Sequence, residues 1–388
     1  MQRSFGLERQ LELYRADLDD ESGGPVVSYE HLRERAREVM TPEAFDYVDG
    51  GAGSGGTMRA NRSAFDRWRI VPRMLRGVSR PDLAVELLGH TLRWPVLLAP
   101  IGVQGCIHRE AELATARGVA PLDVPMVMST LSSRSLEKVA DAMGSVPHWF
   151  QLYWSKNQEF VESLLDRASR KGYSALVVTL DTTQIGWRDR DLENAYLPFL
   201  HGEGLGNYLE DPVFRAALDQ PPDVAPSAAV EYFASIFHRT DITWDDLAFL
   251  RDHWSGPIVL KGILHPDDAR LALDHGADGI IVSNHGGRQL DGAVGALDAL
   301  PGVVEAAGNT IPVLFDSGIR GGADAFKALA LGARAILLGR PYAFGLAIAG
   351  ERGVRDVVHN LLAELDMTAA LAGCASLAEL NCEMLATG

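Results

Sequence analysis

The chain has 388 residues, 47% hydrophobic and 23% charged, a balance that excludes wholesale disorder and leaves material for a large core. Its 36 lysines and arginines against 52 acidic residues give a formal charge of −16, the wrong sign for a protein that tracks nucleic-acid phosphates. Three cysteines (Cys106, Cys374 and Cys382) with no C-x-x-C pair argue against a disulfide framework or a structural zinc, and no metal site is expected.

No apolar run approaches the ~18 residues that span a bilayer. Residues Met1 to Gly24 carry charges throughout and no apolar h-region, so neither a membrane anchor nor a signal peptide is expected, and a cytoplasmic location is. Residues 1–94 read as an N-terminal helical cap. The first buried strand is Pro95 to Pro100 (PVLLAP), followed by a helical stretch near Ala111 to Val119. Strands then recur at Pro125–Thr130, Trp149–Trp154, Ala175–Asp181, Pro257–Gly262, Gly279–Asn284, Pro312–Asp316 and Ala335–Gly339. Helical patterns at Asp267–Asp274 and Asp324–Leu331 end in Gly276 and Gly332, a common helix stop. Continuous apolar strands alternating with helices imply a parallel sheet covered on both faces. Eight such units point to a (β/α)8 TIM barrel over 95–380 rather than an open doubly wound sheet. Residues 182–256, between the fourth and fifth strands, are too long for an ordinary loop and read as an insertion or lid. Its middle, Gly202 to Tyr232, carries six acidic residues and one arginine, unlike a basic membrane-binding segment.

A barrel places its chemistry at the C-terminal ends of its strands. Those ends read Pro100-Ile101-Gly102, Ser129, Gln151 with Tyr153, Thr179 with Asp181, Lys261, Ser283-Asn284-His285, Asp316 with Gly318, and Gly339-Arg340. The last two lie in D-S-G-I-R-G-G (Asp316 to Gly322) and L-G-R-P (Leu338 to Pro341). There glycines admit an anion to the backbone and Arg320 and Arg340 supply charge, as in barrel phosphate sites. His285 suits general-base work, Asp181 can orient it, and Arg288 offers a fork for a carboxylate. Lys261 admits two readings: a Schiff-base lysine, or a cation beside a cofactor that becomes anionic on reduction. Gln151, Ser129 and Thr179 suit the rim of a polar heterocycle.

These residues carry a resemblance. S-N-H-G-G-R-Q (Ser283 to Gln289), F-Q-L-Y (Phe150 to Tyr153), L-K-G-I (Leu260 to Ile263) and D-S-G-I-R (Asp316 to Arg320) resemble the FMN-dependent 2-hydroxy-acid oxidases, and the similarity runs from about Tyr29 to Leu380. The resemblance implies that His285 takes a substrate proton with Asp181 as its partner. Tyr47, Arg188 and Arg288 then hold the substrate carboxylate, and Tyr153 contacts the substrate hydroxyl. It selects the cofactor reading of Lys261. Ser129, Gln151 and Thr179 are implied as flavin contacts. Asp316, Gly318, Arg320, Gly339 and Arg340 are implied at the ribityl phosphate, with Pro100, Ile101, Gly102 and Ser283 among the cofactor contacts and Tyr208 at the substrate. Leu131 stands where glycolate oxidase has tryptophan. Gly102, where many oxidases carry alanine, and the segment Pro198 to Tyr208 resemble the lactate 2-monooxygenase branch. The expected activity is therefore oxidative decarboxylation of a small L-2-hydroxy acid with O2. Alternatives are a simple oxidase releasing 2-oxo acid and H2O2, a dehydrogenase passing electrons to a quinone or protein, and a flavin-free phosphate-binding barrel acting as an aldolase or sensor. A homotetramer or higher homo-oligomer is implied by the family alone.

Overall fold

A computed structural model describes residues 4–16, 25–237 and 239–388. Part of the segment used to exclude a signal peptide lies outside the described residues. Eight parallel strands close into a barrel: β1 (Val96–Leu98), β2 (Met126–Ser129), β3 (His148–Leu152), β4 (Leu176–Thr179), β5 (Ile258–Ile263), β6 (Gly279–Val282), β7 (Val313–Phe315) and β8 (Ala335–Leu338). Each lies inside a strand expected from the sequence or within one residue of it. The helices Glu112–Val119, Pro266–Asp274 and Gly322–Ala330 fall where the periodicity placed them.

Side chains alternate across a strand, so one residue in two faces the barrel axis. Leu97, Val127, Trp149, Val177, Val259, Ile281, Leu314 and Leu337 share one buried cluster inside the barrel. Their outward neighbours, such as Leu98, Met128, Phe150 and Val178, pack in the second cluster, under the surrounding helices. Counting two residues on from the inner apolar set reaches Ser129, Gln151, Thr179, Lys261, Ser283 and Asp316. The same alternation thus gives the barrel an apolar lower layer and a polar upper one.

Residues 1–94 are more than a helical cap. The helices Tyr29–Val39, Pro42–Asp49 and Gly56–Asp66 do form one. The hairpin Val85–Leu87 with His90–Leu92, however, sends Val85, Leu87 and Leu92 into the barrel's inner cluster and closes its lower mouth. A further short strand, Trp68–Ile70, pairs antiparallel with Leu385–Thr387, tying the cap to the chain's last residues, beyond the barrel limit set from the sequence. Two-residue-period patterning in three-residue strands is too short to be read against helical neighbours.

The 182–256 insertion is a set of short helices, among them Asp189–Glu193, Gly206–Leu209, Pro226–Ile236 and Leu247–His253. It is anchored by Arg167, whose guanidinium pairs with Glu137 at 2.8 Å and with the fully buried Asp211 at 2.8 Å. Asn207 Nδ2 reaches the carbonyl of Thr130 at the end of β2 at 2.9 Å, which fixes the insertion over the barrel mouth. Among the described residues no helix is long and apolar enough to cross a membrane.

Candidate active site

The upper mouth gathers residues from the C-terminal ends of all eight strands and from the cap. Asp181 follows β4 and His285 follows β6, and their side chains meet with His285 Nδ1 2.8 Å from Asp181 Oδ1. A carboxylate accepts, so Nδ1 carries the proton and Nε2 is the nitrogen left for the cavity that the ring lines. Thr182 Oγ1 donates to the same Oδ1 at 3.1 Å. Burial pushes the Asp181 carboxyl up, but the neighbouring His285 and Lys261 and the hydrogen bonds from His285 and Thr182 outweigh it and hold it below the usual range. Burial also lowers His285 below its ordinary value, with the Asp181 charge opposing and Lys261 adding to the fall. The imidazole is thus neutral near pH 7, next to an anion that stabilises its cation once a proton arrives.

Two backbone devices make this approach possible. β5 carries a register shift at Gly262, whose φ is +110°, and a Cβ there would lie 2.8 Å from Asp181 Cβ. His285 itself sits at a φ of +58°, a strained conformation for a residue with a Cβ. It is held there by its own N–H donating to Ser283 Oγ at 3.0 Å, while Ser317 Oγ accepts from the next amide, Gly286, also at 3.0 Å.

Opposite the histidine stand two guanidinium groups and a tyrosine. Arg188 opens the helix Asp189–Glu193, and Arg288 follows the His285 loop. Their charges lie 5.9 and 4.9 Å from the ring of Tyr47, on the cap helix Pro42–Asp49. Arg288 donates to the Tyr47 and Gly50 carbonyls, which fixes the cap over the barrel. Burial and then the Arg188 charge pull the Arg288 guanidinium down to about 10. Two buried cations against one carboxylate, Asp191 at 3.7 Å from Arg188, leave a net positive charge that calls for an anion. Burial raises Tyr153, with Asp181 and Tyr47 adding, so its hydroxyl stays protonated as a donor.

Deeper in the mouth the polar layer is incompletely paired. Gln151 Oε1 accepts from Ser129 Oγ at 3.1 Å and from the Thr130 amide at 3.2 Å, yet its Nε2 is buried without a partner, as is Thr179 Oγ1. An unmet buried polar atom costs roughly 1–3 kcal/mol. A flavin's pyrimidine edge supplies the acceptors and donors that would meet both. Lys261 Nζ, 2.9 Å from Ser283 Oγ and 3.3 Å from Asp316, keeps its charge because Asp316 and Asp181 outweigh its burial. At the far end of the same cavity lie Gly318, Arg320, Gly339 and Arg340. A Cβ on Gly339 would meet open space, room that an anion can fill. Arg320 lies against the Tyr29 ring at 3.9 Å, and its guanidinium has no ion-pair partner among the described residues. Arg340 differs: it donates to the carbonyls of Val48 at 3.0 Å, Gly286 at 2.9 Å and Gly50 at 2.6 Å, stapling cap to barrel. The residues therefore fit an elongated flavin nucleotide, with its heterocycle toward Gln151 and Lys261 and its phosphate toward Arg320.

The structure gathers Tyr47, Pro100, Ile101, Gly102, Ser129, Tyr153, Arg188, Lys261, His285, Arg288, Asp316, Gly318, Arg320, Gly339 and Arg340 around one cavity, with Asp181, Gln151, Thr179 and Ser283 immediately behind them. It does not bring Tyr208 there. Tyr208 is fully buried and stacks on Phe160 at 4.5 Å, with Phe233 edge-on at 4.8 Å, and this corrects its expected substrate contact. As the third residue of the short helix Gly206–Leu209 it turns into the core of the insertion. Gly102 has a packing reason of its own: a Cβ there would lie 2.7 Å from the Leu131 carbonyl. The sequence reading missed Phe199 and Phe237 of the insertion, which line the cavity with Leu131, Val103 and Cys106. No spacing signal marks them, because the insertion has no strand to set their phase. Thr182 and Gln289 were also missed, although each adjoins a residue already singled out.

Comparison with known proteins agrees with this geometry. Residues 36–387 match the FMN-dependent dehydrogenase family. An FMN-dependent alpha-hydroxy acid dehydrogenase (qulF) of Penicillium citrinum is 48% identical over 354 residues, covering 90% of this chain and 88% of that protein. An L-lactate oxidase of Lysinibacillus sphaericus is 46% identical over 351 residues, covering 90% of each chain. A crystal structure of a mandelate oxidase superposes with a TM-score of 0.82 at 39% identity, covering 94% of this chain and 98% of that one. The chain therefore belongs to the FMN-dependent dehydrogenase family, as its strand-end residues had implied, and FMN is its cofactor.

Proposed function

We propose that the protein oxidises an L-2-hydroxy acid bearing an apolar side chain to the 2-oxo acid, with O2 as the final acceptor and H2O2 as the second product. The observation that carries this reading is the Asp181–His285 pair, whose Nε2 side faces a cavity walled by Arg188 and Arg288. The two guanidiniums bind the carboxylate and so aim the α-carbon. Positioning of this kind is worth up to ~7–11 kcal/mol of barrier. His285 Nε2 accepts a proton from the substrate while Asp181 holds Nδ1 and stabilises the imidazolium. The neutral Tyr153 hydroxyl hydrogen-bonds the substrate oxygen. FMN, when bound, accepts the two electrons of the oxidation. Lys261 keeps a buried positive charge at that end of the site.

Leu131, Phe199, Phe237, Val103 and Cys106 form the apolar wall beyond the clamp, which supports a side chain larger than methyl. Burial pushes the Cys106 thiol up to about 12, so it acts there as an apolar surface and not as a nucleophile. The 2-monooxygenase reading rested partly on Gly102, and the close Leu131 carbonyl accounts for that glycine by packing. Anaerobic mixing with L-lactate and L-mandelate, then air, tests the proposal. Flavin bleaching with faster reduction by mandelate, then 2-oxo acid with one equivalent of H2O2, is expected. The shortened acid with CO2 and no free peroxide would replace the oxidase reading by oxidative decarboxylation, and no bleaching by either acid would overturn both.

A further inference from the structure

Gln289 is the last residue of the S-N-H-G-G-R-Q motif, and its carboxamide lies between the two loops that build the site. Oε1 accepts from Arg188 Nη2 at 3.0 Å and from the Gly186 amide at 3.4 Å. Nε2 donates to the Gln184 carbonyl at 2.8 Å and to the Asp181 carbonyl at 2.9 Å. Two acceptors' worth of lone pairs and both N–H groups are thus in use. The orientation of the amide is fixed by its surroundings. Exchanging O and N would face NH2 against a guanidinium and an amide N–H, and would face oxygen against two carbonyls.

The stretch stitched by this one side chain runs from Asp181, which orients His285, to Arg188, which faces the cavity. Arg188 is otherwise held by its Nε donating to the Arg288 carbonyl at 3.2 Å and by Asp191 at 3.7 Å. A Cβ on Gly186 would lie 2.4 Å from the Arg288 carbonyl and 2.6 Å from the Gln289 carbonyl, so the two loops are in contact along this line. A neutral amide suits the task. It occupies one N–H of the guanidinium without adding a second negative charge to that of Asp191, whereas a carboxylate at the same place would neutralise the arginine further.

We propose that Gln289 is the positioning residue that aims Arg188 at the substrate carboxylate and sets its distance from the Asp181–His285 pair. This rests on the proposed function of the site. The test uses the FMN-loaded wild type, Gln289→Met and Gln289→Glu. Oxalate is titrated by the change in flavin absorbance, and L-mandelate and its primary amide are compared in steady state. Gln289→Met loses a hydrogen bond to a charged group, and for a loss of that kind about a tenfold to hundredfold weaker oxalate binding is expected. KM for mandelate should rise more than kcat falls, and KM for the neutral amide should stay within about threefold. Gln289→Glu, nearly isosteric and so the safeguard against a folding defect, should weaken oxalate at least as much as Gln289→Met, because its carboxylate would sit against Arg188 and oppose the anion. Oxalate binding within about twofold of wild type in both variants would overturn the role. Equal losses for acid and amide in both variants would also overturn it by showing a general loss of structure. Wild-type enzyme that binds no oxalate and is not reduced by mandelate would instead overturn the proposed function, and this inference with it.

Discussion

The two halves of the barrel interior are built from the same eight strands, yet two residues along each strand change the chemistry. In the lower half Leu97, Val127, Trp149, Val177, Val259, Ile281, Leu314 and Leu337 pack against a plugging hairpin, and the Trp149 indole N–H is the one polar side-chain group among these eight. In the upper half Ser129, Gln151, Thr179, Lys261, Ser283 and Asp316 take the equivalent inward positions, and two of their side chains hold unpaired polar atoms. The lower layer gains free energy by burial. The upper layer gives some up in exchange for groups that a ligand can satisfy. The lesson is that stability and chemistry are separated along one strand, so that substitutions in the two layers should move different observables.

The largest expected effect is in the upper layer. His285→Ala should slow flavin reduction by roughly 10²–10⁴-fold, the usual worth of a general base. FMN should stay bound and Tm should change little, because the ring packs at the mouth and not in the core. Rapid reduction in that variant would remove the base assignment. In the lower layer Trp149→Ala empties a fully enclosed site and should cost about 3–5 kcal/mol of stability, read by denaturant unfolding. The folded fraction should keep its KM. A raised KM there would mean that the layers are coupled and that the separation is wrong.

A finer division is expected between the two arginines at the phosphate end. Arg320 has no ion-pair partner among the described residues, whereas Arg340 already donates to three carbonyls. Arg320→Ala should weaken FMN by ~10–100-fold, the worth of one charge-assisted contact, with little change in the unfolding of the apoprotein. Arg340→Ala should instead lower apoprotein stability, because Val48, Gly50 and Gly286 each lose a donor. Ultrafiltration of FMN and thermal melts of the apoprotein separate the two. Equal effects of both substitutions on both readouts would show that they share one role.

The division between layers also explains what the sequence could convey. Strands β1 to β8 are legible because each is buried on both faces, so its apolar run stands out between proline or glycine boundaries. The upper-layer residues are legible for the converse reason: Lys261 or Asp316 at the end of such a run has no packing explanation. Legibility fails where no strand sets the phase. The hairpin at residues 85–92 is too short for its alternation to register. The insertion's aromatic residues read alike, although Phe199 and Phe237 reach the cavity and Tyr208 turns into the Phe160–Phe233 stack. Gln289 belongs to the S-N-H-G-G-R-Q motif but carries no legible role there, because unlike Gln151 it lies in a loop and not on a strand. Only its contacts with Arg188 and the Asp181 carbonyl reveal a role.

The smallest expected effect concerns pH. Burial lowers His285 below its ordinary 6.5, with Asp181 opposing. A base must be neutral to work, so kcat/KM should sit on a plateau near neutrality and fall as pH drops through this lowered value. At pH 6.5 more than half of the imidazole is still neutral, so the loss relative to pH 8 should be less than about twofold. Asp181→Asn removes the charge that opposes the burial. The acid limb should then move to lower pH, and the plateau should fall, because the imidazolium formed on proton transfer loses its counter-charge. An acid limb that moves upward in Asp181→Asn would contradict the sign of the pair's coupling. A limb that stays in place would mean that the group titrating in kcat/KM is not His285.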